Sequence, residues 1–397
     1  MRLAPALLVL CCAAFQDKEE FPIRRSRIAF KAQLLKRGGG GDDTEGAVRA
    51  ALQWLARHQQ ADGSWKVKEY LGRCKTGDPC SPRPGDENYA TGVTALAVLA
   101  ILGAGHSPDS DAAVDGIRFG DVARKGLAWL AKQQGVDGFV GDPKSSLSMY
   151  GHALAALALV EAYAFAGPEN YRDSARKALD FLLAAQNPGK GWRYSSRCGD
   201  NDTSVTAWCL QPFRAAESCG LPFPIPATYT NAIAWLDEAT DPATGRAGYT
   251  ARGTGKVIFP GQNEDFKDHE TTTAMAVQAR FLMTRNRSHT SLAQGCALLD
   301  LDLPKWDSTA IDYSYWHWAS RAVFEFRGAD SPAWAAWNGA LKEALLKNQN
   351  TAAAGCKCGS WEPVDRWSGM GGRVYATAIN ALTLETYYRN VLIFGGK

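Results

Sequence analysis

The sequence predicts an all-α protein, an α/α toroid in which six helical hairpins close into an (α/α)6 barrel. Three observations lead there. One short pattern recurs along the chain, its copies fall at a near-constant spacing, and each interval between copies holds a second, more apolar helix.

The pattern is clearest at AALQWLARHQQADGSW, where an apolar-periodic run ends in Gln59 and is followed by Gly63 and Trp65. It returns as KGLAWLAKQQGVDGF, KALDFLLAAQNPGKGW and NAIAWLDEATDPATGRAGY, and in weaker form as GALKEALLKNQNTAAAGCKCGSW. A degenerate copy runs from Ser291 to Trp306. The aromatic ends fall at Trp65, Phe139, Trp192, Tyr249, Trp306 and Trp361, with spacings of 74, 53, 57, 57 and 55. Gln is expected to reach carbonyls left unpaired at the helix C-terminus, Gly to allow the left-handed turn, and the aromatic to pack back across the junction. These residues read as structural, not catalytic.

The second helices are YATGVTALAVLAIL, SMYGHALAALALVEAYAF, TSVTAWCLQPFRAA, TTTAMAVQARFL, DYSYWHWASRAVFEF and VYATAINALTLETYY. A helix that is apolar all round is a buried one, whereas the partly charged first helix of each pair reads as the solvent layer. Closing six hairpins on themselves gives every inner helix two inner neighbours.

Met1-Arg2 followed by LAPALLVLCCAA has the layout of a secretory signal, with cleavage expected after Ala14. That run is too short to span a bilayer, so the mature chain is expected to lack a transmembrane segment and to work in a secreted or periplasmic setting. The reading divides the chain into a signal peptide at 1–14, a flexible N-terminal segment at 15–43 containing KRGGGGDD, and the toroid domain at 44–397. A second long irregular segment, from Lys256 to Asp268, lies on the barrel end that carries the Gly-aromatic turns. The formal charge is only +3, with Lys and Arg scattered, which leaves no electrostatic footprint for nucleic acid or an anionic membrane.

Eight cysteines remain after the signal: Cys74, Cys80, Cys198, Cys209, Cys219, Cys296, Cys356 and Cys358. In an oxidising compartment some are expected to pair. Cys74 and Cys80 bracket a short Gly- and Pro-containing loop, so a local disulfide is the leading expectation there. A zinc site on the rim competes with it, but only Cys356-x-Cys358 has close spacing and no His stands nearby in sequence. No metal ligand set and no cofactor are therefore assigned.

The repeats resemble the QW motif of squalene-hopene and oxidosqualene cyclases, most strongly at Ala51-x-x-Trp54-Leu55-x-x-x-Gln59 with Gly63-Ser64-Trp65, at Gly126 to Phe139 and at Ala178 to Trp192. The fold the resemblance implies is shared with protein prenyltransferase β subunits and complement-like thioester domains, and it covers roughly residues 44 to 390. In the cyclases an Asp of a DxDD motif protonates an alkene. The nearest segment is Gly199-Asp200-Asn201-Asp202-Thr203, where the proton donor aligns with Asn201, and an amide cannot supply that proton. Asp200 and Asp202 are the catalytic candidates left if cyclase chemistry survives. Asp202 with Thr203 also reads as a helix N-cap.

The other relatives lose their chemistry too. The prenyltransferase zinc ligands align with Ala310, Asp312 and Ala376, and one carboxylate does not make a zinc site. Neither Gly295-Cys296 nor Gly355-Cys356 is followed by the Glu-Gln that a thioester requires. A glycosidase needs two carboxylates facing each other across a cleft. Asp86, Glu87, Asp200, Asp202, Glu264, Asp265, Asp268, Glu270, Asp312 and Asp365 are on the correct end, with His269 as a possible base, but no spacing singles out a pair.

Aromatic residues near the inner-helix starts form the expected ligand-binding set: Tyr89, Tyr150, Tyr313, Tyr315, Trp316, Trp318, Trp367 and Tyr375. Such a lining suits an apolar small molecule or a glycan, and a protein partner is also open. The functional expectation is a binding or scaffolding toroid. A divergent terpenoid cyclase is the first alternative and a carbohydrate-active α/α-barrel enzyme the second.

Overall fold

The computed structural model describes residues 22–74, 78–80, 85–145, 147–223, 225–255, 257–258, 260–261 and 263–393. The signal-peptide reading of residues 1–14 lies outside them. Among the described residues the regular elements are all helical, joined by turns and isolated bridges.

The inner helices are α3 (Ala90–Gly103), α5 (Ser148–Ala166), α7 (Thr203–Ser218), α9 (Thr271–Thr284), α11 (Tyr313–Arg327) and α13 (Ser368–Leu384). Each packs on the next, and α13 returns to α3, so the ring is closed. The outer helices are α2 (Asp42–Arg57), α4 (Phe119–Lys132), α6 (Pro168–Ala185), α8 (Ile225–Ala239), α10 (Thr290–Leu299) and α12 (Pro332–Leu346). The first of them, α2, packs chiefly on α13, the last inner helix, and this interlock carries the seam of the toroid. The chain is an α/α toroid. One helix, α5, is apolar and long enough to cross a membrane by length and composition, yet it stands in the inner ring against α3, α6 and α7.

The hairpin turns use their residues differently from the sequence expectation. The helix C-terminal carbonyl is taken by the aromatic, not by Gln: Trp65 donates Nε1 to the Leu55 carbonyl, Trp192 to Leu182 and Trp361 to Leu345, each at 2.8 Å. The Gln instead stitches neighbouring outer helices. Gln59 Nε2 donates to the carbonyl of Gly63 in its own turn and to that of Val122 on α4, both at 2.9 Å. Gln134 joins Gly138 to Ser174 on α6, Gln186 joins Lys190 to Thr228 on α8, and Gln349 joins Gly359 to Ala47 on α2. A three-carbon side chain ending in a two-hydrogen amide lets one residue satisfy both carbonyls. Glycine is required because the turn backbone lies on the next outer helix. At Gly63, with φ of +95°, a Cβ atom would stand 2.2 Å from the Lys125 carbonyl oxygen.

Residues 22–43 depart from the expected flexible connector. They contain α1 (Pro22–Arg37), which packs on α14 (Thr386–Ile393), and the glycine run that follows is docked rather than free. Trp334 Nε1 donates to the Gly38 carbonyl at 2.7 Å and Asn338 Nδ2 to that of Gly39 at 3.1 Å. Glycine serves here because Cβ atoms at positions 38 and 40 would collide with the Tyr387 ring. From α14, Arg389 reaches the buried Glu161 of α5 at 2.6 Å. The Gly-aromatic turns lie at the opposite end from α14, where the inner helices begin.

Candidate functional site

All six inner helices begin on one cavity of about 210 Å³, whose walls are mostly apolar. Tyr89 and Gly92 come from the start of α3, Tyr150 and Leu154 from α5, Ser204 and Trp208 from α7, Thr272 and Met275 from α9, Ser314 from α11, and Tyr375 and Ile379 from α13. Small residues at the inner-helix starts, among them Gly92, Gly151 and Ser314, leave the space that the aromatics surround.

Asp142, Asp268, His269 and Arg366 are the acidic and basic residues of the lining. Arg366 fixes the long irregular segment to the cavity wall, donating to the carbonyls of Lys267 and Val257 at 3.1 Å each. His269 is held in place at both ring nitrogens, Nδ1 2.7 Å from Asp302 Oδ2 and Nε2 2.9 Å from the Ala310 carbonyl. Its ring also stacks on Tyr315. A base needs a nitrogen free toward substrate, and neither is.

Of the eight aromatics expected to bind ligand, Tyr89, Tyr150, Trp367 and Tyr375 line the cavity. Tyr313, Tyr315, Trp316 and Trp318 do not. The Tyr313 hydroxyl donates to the Glu362 carbonyl and that of Tyr315 to the Asp302 carbonyl, while Trp316 packs between Tyr313 and Trp306. Trp318 lies edge-on to Trp208, behind the wall. A buried inner helix is apolar on every side, and on α11 it is Ser314 that faces the space. Tyr194, Trp208 and Met275 were missed. Tyr194 follows the third turn directly, in GWRY, and that adjacency was the available signal.

The two catalytic candidates separate. Asp200 is exposed and pairs with Arg193 at 3.6 Å. Asp202 is fully buried and caps α7: its Oδ1 accepts from Val205 N at 2.7 Å and Ser204 Oγ at 2.9 Å. Its Oδ2 makes no hydrogen bond and faces Arg193 at 4.0 Å. Burial outweighs those favourable contacts and lifts the Asp202 carboxyl to about 6. Asn201 is turned to the turn backbone, held by Asn187 Nδ2 and by the Gly199 carbonyl.

The remaining acidic candidates are mostly absorbed by the fold. Asp86 caps the turn before α3, Glu87 accepts from the backbone N–H of Val67, Lys68 and Glu69, and Asp312 caps α11 while accepting Trp367 Nε1 at 3.0 Å. Asp365 accepts from Tyr313 N at 3.2 Å and from the Ser368 hydroxyl. Burial, reinforced by the like charge of Asp312, pushes Asp365 up to about 7. Of the ten carboxylates considered, Asp268 alone lines the cavity.

Away from the cavity, Cys74 and Cys80 form no disulfide. Their sulfurs converge with Cys356 Sγ and His58 Nε2, all four atoms lying within 4.8 Å of one another. This corrects the local-disulfide expectation and gathers four side chains where the sequence assigned no metal ligands. The His that the cysteine spacing lacked stands at the end of α2, immediately before Gln59 in the first repeat.

No protein-family model and no curated protein matches the sequence. Solved structures do match the fold. An inactive variant of an α-1,6-mannanase of Salegentibacter sp. HEL1_6, in complex with α-1,6-mannotetrose, superposes with a TM-score of 0.57 at 10% identity, covering 88% of this chain and 99% of that one. A point variant of the type II terpene cyclase MstE from Scytonema, in complex with the product merosterolic acid A, gives 0.53 at 13% identity, with 89% and 98% covered. The unsaturated glucuronyl hydrolase of Bacillus sp. GL1 gives 0.54 at 14% identity, with 87% and 96% covered. The architecture shared with terpene cyclases and with α/α-barrel glycan hydrolases is therefore the complete toroid. At such identities it defines the fold and leaves the chemistry to the site.

Proposed function

We propose that this chain is a ligand-binding toroid of an extracytoplasmic compartment, and that its occupant is an apolar small molecule with one polar end. One observation carries the reading: Asp202 and Asp312 at the inner-helix starts are spent on caps, while the cavity between those starts is faced by Val93, Leu96, Leu154, Met275 and Ile379 together with aromatic rings. Apolar walls with a few charged side chains favour a molecule that buries its body against them and sets its polar head by Arg366 and Asp268. Burying roughly 200 Å² of apolar ligand surface contributes about 5 kcal/mol before the cost of association. The secretory reading of the N-terminus is part of this proposal.

Titration calorimetry with an isoprenoid alcohol and, separately, with a linear α-1,6-mannan oligosaccharide tests it. Saturable heat with the isoprenoid alone is expected. Saturable binding of the oligosaccharide alone, or no heat with either, contradicts it.

One observation favours divergent terpenoid cyclisation as a second reading. Asp202 is buried beside Tyr150 and Ser204, its acidity is weakened, and one oxygen has no hydrogen-bond partner. On that reading Asp202 donates the proton and Asp200 takes no part. Product formed from squalene by the wild type and lost in Asp202→Asn supports it; no product from the wild type removes it.

A further inference from the structure

We propose that His58, Cys74, Cys80 and Cys356 bind a structural zinc ion that staples the seam of the toroid. From His58 Nε2 the sulfurs stand at 3.4 Å (Cys356), 3.6 Å (Cys80) and 3.7 Å (Cys74). Zinc bonds of about 2.0 Å to nitrogen and 2.3 Å to sulfur, at the tetrahedral angle, place N and S about 3.5 Å apart. The three distances bracket that value. Three cysteines and one histidine are a donor set of structural zinc.

Hydrogen bonding among free thiols does not account for the cluster. His58 Nδ1 is 2.8 Å from the Trp54 carbonyl, four residues earlier, so its hydrogen is committed there and Nε2 presents a single lone pair. One lone pair accepts from one thiol, and three converge on it. With a cation at the centre, the same Nδ1 bond becomes the outer contact that fixes the tautomer of a metal-bound histidine. The ring is further held by stacking on Trp54, at 4.2 Å between centroids.

The surroundings suit thiolates. The Cys80 backbone N–H donates to Cys74 Sγ at 3.3 Å. Asp78 Oδ2 accepts the Cys356 N–H at 2.7 Å, tying the loop of the first hairpin to the turn of the sixth. Arg57, Arg73 and Arg373 lie close enough to act electrostatically on His58, and they offset the net negative charge of three thiolates around one Zn²⁺. His58 and Cys356 are 298 positions apart and meet only because the ring closes. The ion joins α2 to the turn between α12 and α13.

Elemental analysis of the full chain purified without chelator tests the proposal. About one zinc per chain is expected in the wild type and in Cys198→Ser, whose exposed thiol lies outside the cluster. In Cys356→Ser the content falls at least tenfold. If that variant does not fold, cobalt(II) exchanged into the wild type decides, with intense visible tetrahedral bands and near-ultraviolet thiolate charge transfer expected. A Cys74 to Cys80 disulfide in non-reducing peptide maps, or metal-free wild type lacking those cobalt bands, overturns it.

Discussion

Trp192 donates its indole N–H to the carbonyl of Leu182, ten residues earlier and at the end of α6, at 2.8 Å with the ring fully buried. That bond turns an aromatic at a hairpin junction into a helix terminator. In Trp192→Phe much of the apolar packing stays and the carbonyl loses its partner. The expected loss is about 1–3 kcal/mol, the cost of a buried polar group left unpaired, read as a lower urea midpoint with an unchanged slope.

Gly63 and Gly105 separate two demands on glycine. Both have positive φ, +95° and +101°, but a Cβ atom at 63 would meet the Lys125 carbonyl at 2.2 Å, whereas at 105 it meets nothing within 4 Å. Gly105→Ala is expected to cost about 1–2 kcal/mol in backbone strain alone. Gly63→Ala should cost clearly more, because it also pushes α4 away. Equal midpoint shifts in parallel denaturant curves contradict the account.

Asp365 makes stability depend on pH in a stated direction. Its carboxyl is raised to about 7 in the folded chain, against about 3.9 when unfolded. The folded state therefore keeps a proton that the unfolded state has lost, so stability falls as pH rises from about 4 to about 7. Asp312 and the tyrosines 313 and 375 surround it, and Arg366 stands 3.8 Å from Asp312. Unfolding free energies at pH 5 and pH 8 should differ less in Asp365→Asn than in the wild type. An identical pH dependence in both contradicts the assignment.

Asp202 is expected to act first as a cap. Asp202→Ala removes the acceptor of Val205 N and should cost about 1–2 kcal/mol, while Asp202→Asn retains an acceptor and should cost a few tenths. Thermal denaturation of the two variants side by side checks the order.

The toroid was legible because alternating amphipathic and wholly apolar helices at a repeated spacing have few ways to bury their surfaces. Helix faces were harder. Tyr89 and Tyr150 point into the cavity, whereas Tyr313 and Trp316, in equally apolar surroundings, face the turns and neighbouring helices. Nothing in a helix buried on all sides marks which face meets the space. The glycine run at 38–41 looked like a linker because its fit against Trp334 and Tyr387 depends on two helices, α12 and α14, from the far end of the chain. The cluster around His58 was hidden for the same reason. Its fourth ligand comes from the far side of the ring closure.

The most direct test of the account concerns the cavity itself. Ser148 lies on its wall at the start of α5, and Ser148→Phe fills space without removing any cap or turn bond described above. Paired calorimetric titrations of wild type and this variant with the isoprenoid alcohol should give saturable binding in the first and at least tenfold weaker binding in the second, at matched melting temperatures. Equal affinity in the two proteins would place the ligand elsewhere and contradict the central claim.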